Sequence, residues 1–151
     1  MNIYSIGFTQ KSAEKFFKLI SENNIQTLID VRLNNTSQLS GFAKRDDLKY
    51  FLKELCNCEY IHIPDLAPTK EILKPYQDKK ITWQSYEEKF LDLMAKRNIE
   101  KYLKESFFHQ GCLLCSEHLP HQCHRRLVLE YLKQYNNSIQ ANHLIVPKVK
   151  K

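Results

Sequence analysis

No run of eighteen apolar residues occurs in this chain, and shorter runs do not carry a helix across a bilayer. That excludes a spanning helix, and no membrane partner is expected. The opening residues MNIYSIGFTQ hold no basic stretch followed by an apolar one. A signal peptide is therefore not expected, and the protein is expected in the cytoplasm. Internal repeats and low-complexity tracts are missing as well, which fits an ordinary globular domain. An even cysteine count is also lacking: there are 5. In a reducing compartment structural disulfides are not expected, so packing, metal binding or catalysis are left as their uses.

What is present suits one domain. A chain of 151 residues buries roughly 68–70% of its unfolded surface and needs no covalent staples. Hydrophobic residues make up 42% and charged residues 26%, as in soluble globular proteins. We expect residues 1–147 to form a single α/β domain and residues 148–151 a solvated basic tail. The formal net charge of +6 favours anionic partners, a phosphate-bearing small molecule or a nucleic acid.

The apolar periodicity switches between two types along the chain. IYSI, Ile3 to Ile6, reads as a strand ending at Gly7. After Ser12, a good N-cap, Ala13, Phe16, Phe17 and Ile20 fall on one helical face, and Asn23 and Asn24 stop the helix. TLIDVR is a short apolar run with Asp30 and Arg32 at its end, the pattern of a strand buried on both faces. Leu48, Phe51, Leu52 and Leu55 repeat the helical spacing, and EYIHI is a third strand. The segment from Pro64 to about Ile81 is expected to be irregular, the length of a lid or binding loop. A helix from about Trp83 to Arg97 is capped by Thr82 or Ser85, with Ser85 and Glu88 spaced as a capping box. A short helix is expected from Ile99 to about Phe107. CLLCS follows as a strand, then a helix from about Pro120 to Tyr135, and QANHLIV as the last strand. Alternation of this kind predicts an α/β fold: a mostly parallel five-stranded sheet with helices on both faces.

Ligands in such folds sit beyond the carboxyl ends of the strands. That rule selects Phe8 and Thr9, Asp30 and Arg32, His62 and Asp65, and Ser116 and Glu117. Charged groups from four strand ends are expected to meet in one cleft. The densest cluster, CSEHLPHQCHRR, Cys115 to Arg126, falls in the turn after the fourth strand.

Three readings of this cluster compete. Cys115, His118, His121, Cys123 and His124 are zinc ligands by type, but their spacing matches no usual metal pattern, and no metal is assigned. Cys112 and Cys115 look like a C-x-x-C pair, yet an offset of three on a strand points them to opposite faces. As a nucleophile, Cys123 falls in the expected first helical turn, where the helix dipole and Arg125 or Arg126 lower a thiol pKa. Cysteine phosphatases place cysteine and arginine six positions apart across a tight loop. Cys115 and Arg125 are ten apart and their loop holds no glycine, so that match fails. The third reading is packing: Cys123 and His124 extend an apolar stripe through Leu127, Val128, Tyr131 and Leu132, and His124 bonds a strand-end carbonyl. For Asp30 and Arg32, a buried ion pair stands against an arginine oriented by aspartate toward an anion. His62 reads as a satisfied core histidine. Arg126 and Glu130, at i and i+4, suit a surface pair.

Taken together, YSIGFTQKSAEKFFKLISENNIQTLIDVR, YIHIPDL, CLLCSE and CHRR resemble the family called domain of unknown function 488, in the right order over nearly the whole chain. The family's Asp-Val-Arg corresponds to Asp30-Val31-Arg32. Its Cys-Ala-Glu corresponds to Cys115-Ser116-Glu117, and its Cys-His-Arg to Cys123-His124-Arg125. Its Gly-His is Gly7-Phe8 here and its Leu-Gly-Gly is Leu66-Ala67-Pro68, so chemistry assigned to that histidine does not carry over. The stretch RLNNTSQLSGFAKRDDL looks like that of a distinct subgroup. The resemblance implies an α/β fold and a polar site built from these motifs. It implies no reaction.

The sequence thus points to an intracellular enzyme acting on a phosphate-bearing substrate, a nucleotide or nucleic acid. Arg32 and Arg125 would hold the anion, with Asp30, His124 and Thr9 lining the site. Glu117 would be the general acid or base, and Cys115 or Cys123 a nucleophile or positioning group. Two alternatives stay open: a non-catalytic nucleic-acid or nucleotide binding module, and a metal-binding or redox protein. No cofactor and no oligomeric state follow from these residues.

Overall fold

The computed structural model describes residues 1–33, 41–115 and 123–145. Five strands form one parallel sheet: β1 Asn2–Gly7, β2 Thr27–Asp30, β3 Glu59–His62, β4 Gly111–Cys115 and β5 Gln140–Leu144. Their order across the sheet is β3-β2-β4-β1-β5. Register aligns the carboxyl ends: Gly7 lies opposite Cys115, and Asp30 lies opposite both His62 and Leu114. The helices are α1 Ala13–Glu22, α2 Arg45–Cys56, α3 Lys70–Gln77, α4 Trp83–Arg97 and α5 His124–Lys133.

Two apolar layers flank the sheet, as the alternation of strands and helices predicts. Phe16, Phe17 and Ile20 of α1 and Leu48 and Leu52 of α2 pack on Ile6, Leu28, Cys112 and Leu114. Tyr86, Phe90 and Met94 of α4 and Leu127, Val128 and Leu132 of α5 pack on Ile3, Ile29, Leu113 and Cys115. Cys112 and Cys115 thus fall on opposite faces, as strand geometry requires. Two members of the expected helical stripes stay outside the core: Ala13 and Leu55 are exposed.

Local signals account for most boundaries. Ser12 caps α1 by accepting from the Lys15 amide at 3.2 Å, and Asn23 ends it. Thr82, not Ser85, caps α4, accepting from the Ser85 amide at 3.1 Å. Asn57 and Asn98 end α2 and α4 in the left-handed region, where the short asparagine side chain is tolerated.

Three expectations are corrected. The segment after Pro64 is not irregular throughout: it begins with a short 3-10 turn and then forms α3, which buries part of Ile72, Leu73 and Tyr76 against α4. Pro75 sits inside α3, and prolines had masked the helical period. The expected helix from Ile99 is two 3-10 turns, Ile99–Lys104 and Ser106–Phe108. The last helix begins at His124, so Cys123 is its extended N-cap residue rather than part of its first turn. The expected start at Pro120 lies outside the described residues.

The connections explain where a site can form. The α1 connection leaves β1 across one face, and the α5 connection leaves β4 across the other. β1 and β4 are neighbours, so their connections leave in opposite directions, the topological switch point at which ligands of such sheets bind.

Candidate functional site

Asp30 is the last residue of β2 and is fully buried. Its carboxylate is held from three sides. Arg32 folds back on it, Nε to Oδ1 at 2.9 Å and Nη2 to Oδ2 at 2.8 Å. The Arg32 amide donates to Oδ1 at 3.0 Å, and the Tyr60 hydroxyl on β3 donates to Oδ2. Burying a pair of this kind is costly unless its remaining hydrogen-bonding groups are also satisfied. Among the described residues one is not satisfied: Arg32 is 3% exposed, and its Nη1 is buried with no hydrogen-bond partner there. The guanidinium carbon lies 5.5 Å from the centre of the Phe8 ring. Phe8 thus covers one side of the arginine as a cation–π contact.

The next two residues of the chain are fixed by histidines. His62 Nε2 bonds the Arg32 carbonyl at 2.9 Å, and His124 Nε2 bonds the Val31 carbonyl at 2.6 Å. A carbonyl only accepts, so each Nε2 carries a proton and donates. Burial holds the His124 pKa down to about 4, with the Val31 bond opposing that shift. His124 is therefore a neutral clamp between the start of α5 and the end of β2. Both histidines take the bland role considered for them from sequence, that of satisfied structural donors.

Arg125 is fully buried on α5. Its Nε donates to Ser5 Oγ on β1 at 3.1 Å, and its Nη1 lies 3.2 Å from Cys115 Sγ. Ser5 Oγ is also in close hydrogen-bond contact with His143 Nδ1 on β5. Lys11, in the turn after β1, is buried, and its pKa falls to about 8, chiefly through that burial and then through Arg125. The sheet edge thus gathers Lys11, Arg32 and Arg125 within the protein.

Cys115 and Cys123 are joined through their sulfurs, with Cα atoms 7.6 Å apart. This corrects the expectation that no cysteines are bridged. Parity and compartment could not reveal that the end of β4 and the start of α5 face each other. The guanidinium of Arg125 rests on Cys115, not on Cys123 as the expected helix placed it. Cys56, Cys58 and Cys112 are free thiols, and burial raises the pKa of each, that of Cys58 to about 12.

The sequence-selected residues divide accordingly. Asp30, Arg32, His124, Arg125, Cys115 and Cys123 converge around the ends of β1, β2 and β4. Thr9 is half-buried in the turn beyond β1. Asp65 is engaged elsewhere, accepting from the Tyr102 hydroxyl at 2.7 Å. Ser116, Glu117, His118 and His121 lie outside the described residues. Among the described residues no three His, Cys, Asp or Glu side chains are placed to hold a metal ion. Ser5, Tyr60 and Lys11 were not singled out from sequence. A serine inside the apolar strand IYSI was the available signal for Ser5, because a buried hydroxyl needs a partner. An apolar groove of about 380 Å³ beside Phe17, Phe42 and Phe51 lies on the α1–α2 side and holds none of these residues.

The fold and site define a parallel α/β protein with buried arginines at the carboxyl edge of its sheet, beside a pair of joined cysteines. The chain belongs to the family described as domain of unknown function DUF488, which matches residues 12–132. No curated protein and no solved structure matches it. Among the described residues no helix is long and apolar enough to cross a membrane.

Proposed function

We propose that the protein is an enzyme acting on a phosphate-bearing ligand, a nucleotide or nucleic acid, at the carboxyl edge of the sheet. The observation that carries this reading is the Arg32 Nη1 donor, buried without a hydrogen-bond partner among the described residues. An unmatched buried donor costs about 1–3 kcal/mol, and an anionic oxygen is its strongest partner. Asp30 fixes the guanidinium so that Nη1 is presented without further ordering. The carboxyl ends of β1 and β4, from which the chain departs in opposite directions, are where ligands of such sheets lie, and the net charge of +6 draws anions toward the molecule.

Glu117 is the acid or base in this reading, with Arg125 a second cationic wall. Thiolate attack by Cys115 or Cys123 on such a substrate requires their sulfurs to be separated first. A binding module without turnover would use the same arginine but ignore Glu117→Gln.

Thermal unfolding of wild type and Arg32→Lys with inorganic phosphate, mononucleotides and short oligonucleotides tests the reading. A ligand at a hundred times its dissociation constant adds about 2.7 kcal/mol of stability. Lysine keeps a charge for Asp30 but loses the Nη1 fork. Stabilisation of wild type that disappears in Arg32→Lys is the expected result, and product formation that falls in Glu117→Gln establishes turnover. Equal stabilisation of both proteins, or of neither, overturns it.

A further inference from the structure

Ser5, fully buried on β1, stands between a guanidinium and an imidazole from two other elements. Arg125 Nε of α5 donates to its oxygen at 3.1 Å, and Nδ1 of His143 on β5 is in close hydrogen-bond contact with the same oxygen. A guanidinium N–H can only donate, and a hydroxyl carries one proton. Whatever else Arg125 meets, it gives Ser5 no acceptor. The hydroxyl proton therefore goes to His143 Nδ1, the other side-chain atom in hydrogen-bond contact with Oγ among the described residues. The ring is thereby fixed as the neutral tautomer with its own proton on Nε2. This bond fastens β5, the edge strand next to β1, both to β1 and through Ser5 to α5.

We infer that Ser5 and His143 form a proton-operated latch: the neutral ring ties the edge strand β5 to β1 and α5, and protonation of the ring releases it. His143 is half-buried at the sheet edge rather than enclosed in the core, so a proton from water reaches it. That proton goes to Nδ1, the nitrogen that accepts from Ser5. Nδ1 then becomes a donor, and the buried hydroxyl proton loses its acceptor. An unmatched buried donor is costly, and the contact gives way at its least enclosed member, which is β5. The charges around the ring act in the same direction. Leu144 packs in the α1–α2 layer, so its neighbour His143 faces α5. Burial opposes a charge on the ring most, then Arg125 and Arg126 of α5, while Glu130 of α5 favours it. β1 adds no charged group on this face, because its Tyr4 also packs in the α1–α2 layer, and the other residues of β5 are uncharged. The latch is therefore closed above the ordinary histidine range and opens as pH falls below it.

The test is amide hydrogen exchange of the full chain, followed residue by residue by NMR at pH 7 and pH 4.5 and corrected for the intrinsic effect of pH. Protection of Gln140–Leu144 is read relative to that of the central strand β4, which reports changes common to the whole fold. In wild type the relative protection of β5 is expected to fall by about tenfold at the lower pH, roughly what one hydrogen bond is worth. In His143→Asn the side-chain oxygen replaces Nδ1 and accepts from Ser5 at either pH, so the relative protection should stay constant. A constant ratio in wild type, or an equal fall in His143→Asn, overturns the inference. Should His143→Asn fail to fold, ring-nitrogen NMR of wild type decides. A proton on Nε2 at pH 7, with β5 protection lost in step with protonation of the ring, supports the latch. A proton on Nδ1 at pH 7, or β5 protection that does not follow the ring, overturns it.

Discussion

Arg32 turns back on Asp30, two residues earlier in the chain, and binds both of its carboxylate oxygens, at 2.9 and 2.8 Å. Each group is buried, so neither can exchange its partner for water. Removing one charge strands the other. We expect Asp30→Ala to lose about 3–5 kcal/mol of stability. Tyr60→Phe removes a neutral donor to the same carboxylate and should lose about 1–3 kcal/mol. Urea unfolding of the two variants reads both values, and the opposite order would show that the pair is not the dominant contact.

Ser5 ties three elements together, because its hydroxyl meets Arg125 of α5 and His143 of β5 from its place on β1. Ser5→Ala leaves the buried Arg125 Nε without that acceptor. The expected loss is about 1–3 kcal/mol, measured by chemical unfolding. A neutral result would mean that the guanidinium finds a substitute acceptor at no cost.

The His124 pKa is about 4 in the folded chain, below its ordinary value of 6.5, because burial disfavours the charged ring. Between these values the unfolded chain binds a proton that the native one does not. Stability from this residue is therefore complete above about pH 6.5, falls as pH drops from about 6.5 to 4, and loses nothing more below that. The loss is about 1–3 kcal/mol, the lower end reflecting the part of the residue that reaches solvent. Unfolding free energies at pH 7 and pH 4.5 are compared for wild type and His124→Gln. The difference between the proteins should shrink at the lower pH, and a constant difference would rule out the shift.

Gly111 opens β4 where no side chain fits. A Cβ there would lie 2.5 Å from the Phe107 carbonyl oxygen and 2.9 Å from Ile29 Cδ1. The first contact is backbone, which yields little. Gly111→Ala is expected to cost about 1–3 kcal/mol through forced displacement of the turn before β4. Thermal unfolding checks it, and a variant as stable as wild type would mean that the turn moves freely.

Much of the fold was legible because period-two and period-3.6 patterns alternate and each carries its own cap. Ser12 and Thr82 mark the starts of α1 and α4 through short-range bonds that a linear reading detects. Alternation also placed Asp30 and Arg32 on one side of their strand and separated Cys112 from Cys115. The irregular reading of the Pro64–Ile81 stretch failed because tertiary burial of Ile72, Leu73 and Tyr76 outweighs the proline signals. The 3-10 turns after Ile99 failed for a related reason: a three-residue repeat and a helical one look alike over so short a span.

The sequence by itself determined the alternating α/β architecture, the strand ends that carry polar residues, and the membership of the chain in one family. Those properties follow from spacing along the chain. Only the tertiary structure decided which polar groups touch. It paired Cys115 with Cys123, set Arg125 against Ser5 and Cys115, and left Arg32 Nη1 without a partner among the described residues, because those contacts depend on the order β3-β2-β4-β1-β5. That order brings β1 between β4 and β5 although β4 and β5 are consecutive in the chain, so residues more than a hundred positions apart meet at one edge.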